Sequence, residues 1–200
     1  MLRYIALIFA ATILVACQIA IDETQGAVDQ LPFRDPANPS SETAPHVTAP
    51  RSLLPYGEVA RLCTTPHDLG QEVAQVAGFT LYDSAPGSTA FRTYYVTGFD
   101  DRCARQFSAA LVTTGDASTY EFIRNLPTHT SRYSETDAAF EQVKNRFCQV
   151  RDAEPCGQRA AALDDVTAFI TAYETFGSRP TWVEIFLHDG ALHAVDFKTR

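Results

Sequence analysis

The sequence predicts an α+β domain: a mostly antiparallel sheet of about five strands with three to four helices, stapled by disulfides. Three observations point there. Strand-like and helix-like segments occur in blocks rather than in strict alternation, which disfavours a parallel sheet. Two apolar runs near the C-terminus, Trp182–His188 and Ala191–Phe197, flank Asp189-Gly190, a strong short-range hairpin signal. Four cysteines, Cys63, Cys103, Cys148 and Cys156, follow an apolar leader, a context that favours pairing.

Taken in order, Tyr56 to Cys63 reads as a short helical turn. Thr65-Pro66-His67-Asp68 has the form of a helix start, with Thr65 as cap, Pro66 in the first turn and Asp68 at the capping-box position. Leu69, Val73 and Val76 follow at helical spacing, and Gly78 ends the element. Phe79–Asp83 and Phe91–Thr97, rich in aromatic and β-branched residues, read as strands joined by a polar loop, Ser84 to Ala90. Arg105 to Thr113 is a third strand. Ser118-Thr119-Tyr120-Glu121 starts a short helix that stops before Pro127.

Ser134-Glu135-Thr136-Asp137 opens the clearest helix. Phe140, Val143 and Phe147 form its apolar stripe, acids sit in its first turn, and Lys144 and Arg146 near its end complement the dipole. A further helix is expected from about Gln158 to Phe176, with Leu163, Val166, Ile170 and Tyr173 inward and Gly177 and Pro180 as terminators. Cys148 and Cys156 lie a short loop apart, so they are expected to pair, which leaves Cys63 for Cys103.

Composition narrows the function. Of 200 residues, 46% are hydrophobic, 20% charged and 11% aromatic, which excludes collagen-like, coiled-coil and wholly disordered chains. Sixteen basic against twenty-four acidic residues give a net charge of -8. The only lysines are Lys144 and Lys198, so the basic footprint that nucleic acid or an anionic membrane surface requires is missing.

Residues 1–16 read as a secretory leader: Arg3 gives a positive start and Tyr4 to Ala16 is apolar apart from Thr12. Leu14-Val15-Ala16-Cys17 resembles the lipobox of bacterial lipoproteins. That resemblance implies cleavage before Cys17 and lipidation of Cys17, and Gln18 after it resembles the outer-membrane sorting class. The expected location is the cell envelope, lipid-anchored at the outer membrane and facing the periplasm. The competing reading is an uncleaved spanning anchor, with the apolar run stretched to Ile21. Residues 17–52 form a tether in which Pro32, Pro36, Pro39, Pro45 and Pro50 lie among serines and threonines, long enough to reach roughly 30 Å as a coil and about 100 Å stretched. His46 lies in it without an assigned role. Residues 53–200 form a single globular domain.

Within that domain the strong catalytic signatures are missing: no G-x-S-x-G, H-E-x-x-H, phosphate-binding or dinucleotide-binding glycine motif occurs. Asp100-Asp101 reads as a polar turn between strands, and Asp164-Asp165 cannot face one another on a helix. His67-Asp68 fits a capped first turn better than a base and its orienter, and His129 has no acid near it in sequence. The 82–90 loop, with Asp83, Ser84, Ser88 and Thr89, reads as a solvated connection. The C-terminal hairpin is the best local constellation. A two-residue turn pairs Phe186 with His193 and Glu184 with Val195, which puts Trp182, Glu184, Phe186, His188, His193, Val195 and Phe197 on one face. Trp182, Glu184, Phe186, His188 and His193 are therefore the expected binding surface. The expected function is a non-catalytic binding module for an envelope protein or glycan partner, with no catalytic residues, metal or cofactor assigned. Two alternatives stand beside it: a periplasmic hydrolase with a dispersed histidine and carboxylate site, and a metal-binding lipoprotein using Glu184, His188 and His193.

Overall fold

The computed structural model describes residues 52–64, 66–127, 133–177 and 180–199. Cys17, the tether with His46, the Thr65 cap and His129 lie outside the described residues. Nine strands occur among the described residues, in two antiparallel sheets rather than one. The first has five strands, β1 (Ala60–Leu62), β2 (Gln71–Val76), β3 (Phe79–Asp83), β4 (Arg92–Thr97) and β5 (Ala104–Ala109), in the order β1-β5-β4-β3-β2. The second has four, β6 (Leu111–Asp116), β7 (Thr167–Tyr173), β8 (Thr181–His188) and β9 (Ala191–Thr199), in sequence order. The helices are α1 (Ala117–Arg124), α2 (Glu135–Cys148) and the short α3 (Ala160–Asp164), the last preceded by a 3-10 turn. The α+β class stands, with more strand and less helix than expected.

Three expectations are corrected. The segment around Tyr56 to Cys63 is a turn followed by β1, which pairs with β5. The expected helix over 65–78 is instead β2, paired along β3. Its decisive feature is Ala77-Gly78: φ is +51° at Ala77 and +81° at Gly78, the pattern of a two-residue hairpin turn joining Val76 to Phe79. The Gly78 that reads as a helix terminator is a hairpin glycine. The expected helix over 158–176 keeps only its first turns, then becomes β7. Thr167, Phe169, Ile170 and Thr171 are β-branched or aromatic, and ladders on both sides, to β6 and β8, favour the pleated form over the helix period.

The single strand expected over 105–113 is two. The chain leaves the first sheet after β5, passes Ala110 and enters the second sheet as β6. This crossover gives the second sheet two covered faces. Ala168, Ile170, Ala172, Val183, Ile185 and Leu187 point one way, onto Phe79, Leu81, Tyr94, Val96 and Phe107 of the first sheet. Phe169 and Phe186 point the other way, under α1 and α2, onto Tyr120, Phe140 and Val143. The layers are therefore sheet, sheet and helices.

Both helices start as polar chemistry dictates. Asp116, the last residue of β6, caps α1 by accepting from the Thr119 amide at 2.7 Å, so the cap lies two residues before Ser118. Ser134 and Asp137 form a capping box at the expected start of α2. Both expected disulfides are present: Cys63–Cys103 ties the end of β1 to the start of β5, and Cys148–Cys156 ties the end of α2 to the turn before α3. On the chain-entropy view they stabilise by about 4 and about 2.5 kcal/mol. No helix among the described residues is long and apolar enough to cross a membrane.

Candidate binding pocket

The helices cover only part of the outer face of the second sheet. Phe169 and Phe186 lie beneath them, whereas Thr171, Tyr173 and Trp182, further along the same face, remain half-exposed. That uncovered end is a cavity of about 200 Å³. Its walls are Thr113, Thr114 and Thr171 from the strands, Thr119, Ile123 and Arg124 from α1, and Tyr173 and Trp182. Its floor carries Tyr120, Asp137, Glu184 and Lys198.

The floor exists because of a β-bulge. From the Asp189-Gly190 turn, His188 pairs with Ala191 and Leu187 with Leu192. His193 is then an extra residue, and Phe186 pairs with Ala194, Glu184 with Asp196 and Trp182 with Lys198. The expected pairing of Phe186 with His193 and Glu184 with Val195 is therefore corrected by one residue. Because side chains alternate with period two, that shift exchanges the faces of everything after it. Val195 turns inward onto the core between the sheets, and Phe197 leaves the Trp182 face to sit against Tyr56. Ala194, Asp196 and Lys198 take their places.

Lys198 is 4% exposed and its ammonium uses its donors fully: 2.7 Å to Asp137 Oδ2, 3.1 Å to Glu184 Oε2 and 3.4 Å to the Tyr120 hydroxyl. Tyr120 in turn donates to Asp137 Oδ1 at 2.6 Å, and the Ser134 amide and hydroxyl donate to Oδ2. Arg124 reaches Glu141 at 2.8 Å and Asp137 at 3.5 Å. Lys144, which sequence reasoning placed as a dipole partner near the end of α2, is 1% exposed and bridges Glu121 and Glu141.

The electrostatics follow from burial and pairing. Burial works to raise the Asp137 pKa, but hydrogen bonds from Lys198 and Tyr120 outweigh it and hold the carboxyl below its usual range. Burial dominates at Glu184 and raises its pKa despite Lys198. The Tyr120 hydroxyl is raised, first by burial and then by the neighbouring carboxylates, so it stays a donor.

Of the expected surface, Trp182 and Glu184 line this cavity. Phe186 does not belong to any surface: it is fully buried, stacked on Phe169 and edge-on to Phe140. His188 and His193 lie 5.5 Å apart between ring centroids, with His188 Nδ1 at 2.9 Å from the Thr167 hydroxyl. Burial lowers both pKa values, which favours neutral imidazoles. Glu184 is engaged by Lys198, and no three His, Cys, Asp or Glu side chains converge as a metal-holding group among the described residues. His67 is exposed and is not among the residues lining the cavity. Asp83 is locked by a bidentate pair with Arg92, Asp101 pairs with Arg61 and Arg105, and Asp164 accepts from Ser118.

Tyr120, Arg124, Asp137, Thr171 and Lys198 were not anticipated as site residues. The sequence shows only that this acidic chain has two lysines; that both are buried, and so require carboxylates around them, is seen in the structure. The chain matches no protein-family model, no curated protein and no solved structure at a significant level.

Proposed function

We propose that the chain is a lipid-anchored envelope lipoprotein whose folded domain is a non-catalytic binding module, and that its ligand enters the cavity beside Trp182. The observation that carries this reading is the cavity itself, where a half-exposed aromatic side chain stands over a fixed polar floor. Binding sites combine apolar walls with a few placed polar groups in this way. The floor carboxylates Asp137 and Glu184 and the Lys198 ammonium are committed to one another, which suits a rigid binding surface better than a proton-transferring one. The leader and tether supply the location: cleavage before Cys17 and acylation would hold the domain at the membrane with freedom to reach.

The test uses the full-length chain in its own cells. Trp182→Ala is expected to leave folding and membrane attachment intact and to reproduce the deletion phenotype, while His67→Ala behaves as wild type. Intact-mass measurement of the mature protein is expected to show an acylated Cys17 at its N-terminus. A wild-type phenotype for Trp182→Ala contradicts the site, and an unmodified Cys17 contradicts the anchor.

A further inference from the structure

Resting on that reading of the cavity, we infer that its ligand is a neutral, hydroxyl-rich ring, a single sugar unit presented by a glycan. The floor charges are already paired. Lys198 is shared among Asp137, Glu184 and Tyr120, and Arg124 between Glu141 and Asp137. An anionic ligand would meet Asp137 and Glu184, a cationic one Arg124 and Lys198, and either would have to break a buried pair to enter. A hydroxyl group both donates and accepts, so it joins an alternating floor without displacing anything.

The walls match the same chemistry. Thr113, Thr119 and Thr171 border the space with side chains that can each donate and accept, and a hydrocarbon ligand would leave polar groups there desolvated and unpaired. Trp182 and Ile123 supply the apolar element against which the C–H face of a sugar ring packs. A volume of about 200 Å³ accommodates one ring, and the open side lets that ring be a terminal or branching unit of a larger glycan.

Trp182 is the only tryptophan of the chain, so intrinsic fluorescence reports directly on this cavity. The full-length protein in detergent is titrated with glucose, galactose and N-acetylglucosamine, each also as its disaccharide, and in parallel with putrescine and with acetate. At least one sugar is expected to give a saturable change, and the two ions none. Thr171→Val is expected to weaken that sugar about tenfold with an unchanged melting transition, through one lost hydrogen bond. Equal affinity for a monosaccharide and its disaccharide indicates recognition of one unit in either source. A tighter disaccharide indicates that the glycan, not the free sugar, is bound. Saturation by putrescine or acetate, or a flat response to every sugar, overturns the inference. Thr171→Trp, which fills the cavity, separates this failure from failure of the site: loss of cellular function with flat sugar titrations leaves the cavity standing and removes the sugar, whereas a functional Thr171→Trp protein removes the site itself.

Discussion

Lys198→Met is expected to cost about 3–5 kcal/mol of unfolding free energy at neutral pH, the range for removing one partner of a buried ion pair. The ammonium is the shared centre of Asp137, Glu184 and Tyr120, and none of these reaches bulk water readily. Methionine fills the volume but leaves two carboxylates with no cation between them. The pH dependence has a definite sign. Asp137 has a depressed pKa in the folded state, so its stabilisation is present above the unfolded value and is lost as pH falls through the folded one. Glu184 has a raised pKa, so its contribution is present below the unfolded value and is lost as pH rises through the folded one. Without Lys198 both carboxyls shift upward, and mild acid lets them protonate. The cost of the substitution should therefore be largest near neutrality and shrink in mildly acidic buffer. Lys198→Met with Glu184→Gln should recover part of it, because one of the stranded charges is gone. Urea unfolding across pH measures all three quantities. A cost below about 1 kcal/mol at neutral pH would show that the network is an exposed surface pair in energetic terms.

Inserting one alanine after Ala194 should be at least as damaging, on the order of 5 kcal/mol, although the added side chain is small. With one residue more, pairing beyond Ala194 slips by one. Asp196 then falls opposite Val183 and Lys198 opposite Thr181, on the side of the core between the sheets, while Val195 turns toward the polar floor. The strand avoids burying an unpaired lysine only by widening the bulge or fraying away from β8. Deleting His193 is the control: it removes the unpaired residue, Phe186 still pairs with Ala194, Lys198 keeps its face, and the cost should be about 1 kcal/mol. Thermal unfolding of the two variants reads the difference. Equal and mild effects would mean that register along β9 does not set the face of Lys198.

These two predictions also show where the sequence is legible. The start of α2 at Ser134, the hairpin at Asp189-Gly190 and both disulfides are local or nearly local features, and the structure has each of them. The errors are long-range. Leu69, Val73 and Val76 satisfy a helical period, yet Ala77-Gly78 folds that segment back on β3. Leu163, Val166, Ile170 and Tyr173 do likewise, but two neighbouring strands supply ladders that no local pattern announces. The site was half visible for the same reason. Trp182 and Glu184 follow from alternation along β8, whereas Asp137 and Lys198 join them only through the packing of α2 and a bulge at one residue of β9.

Site-specific photo-crosslinking in intact cells decides whether the ligand enters this cavity. The photoreactive residue is placed at Ile123, which is 48% exposed at the cavity, or at Val73, which is 44% exposed on β2 of the other sheet. Similar exposure makes the two positions a matched pair. A specific adduct from Ile123, abolished by Trp182→Ala and missing from Val73, is the predicted result. An adduct that forms equally from Val73, or that survives Trp182→Ala, would contradict the assignment of this cavity as the binding site.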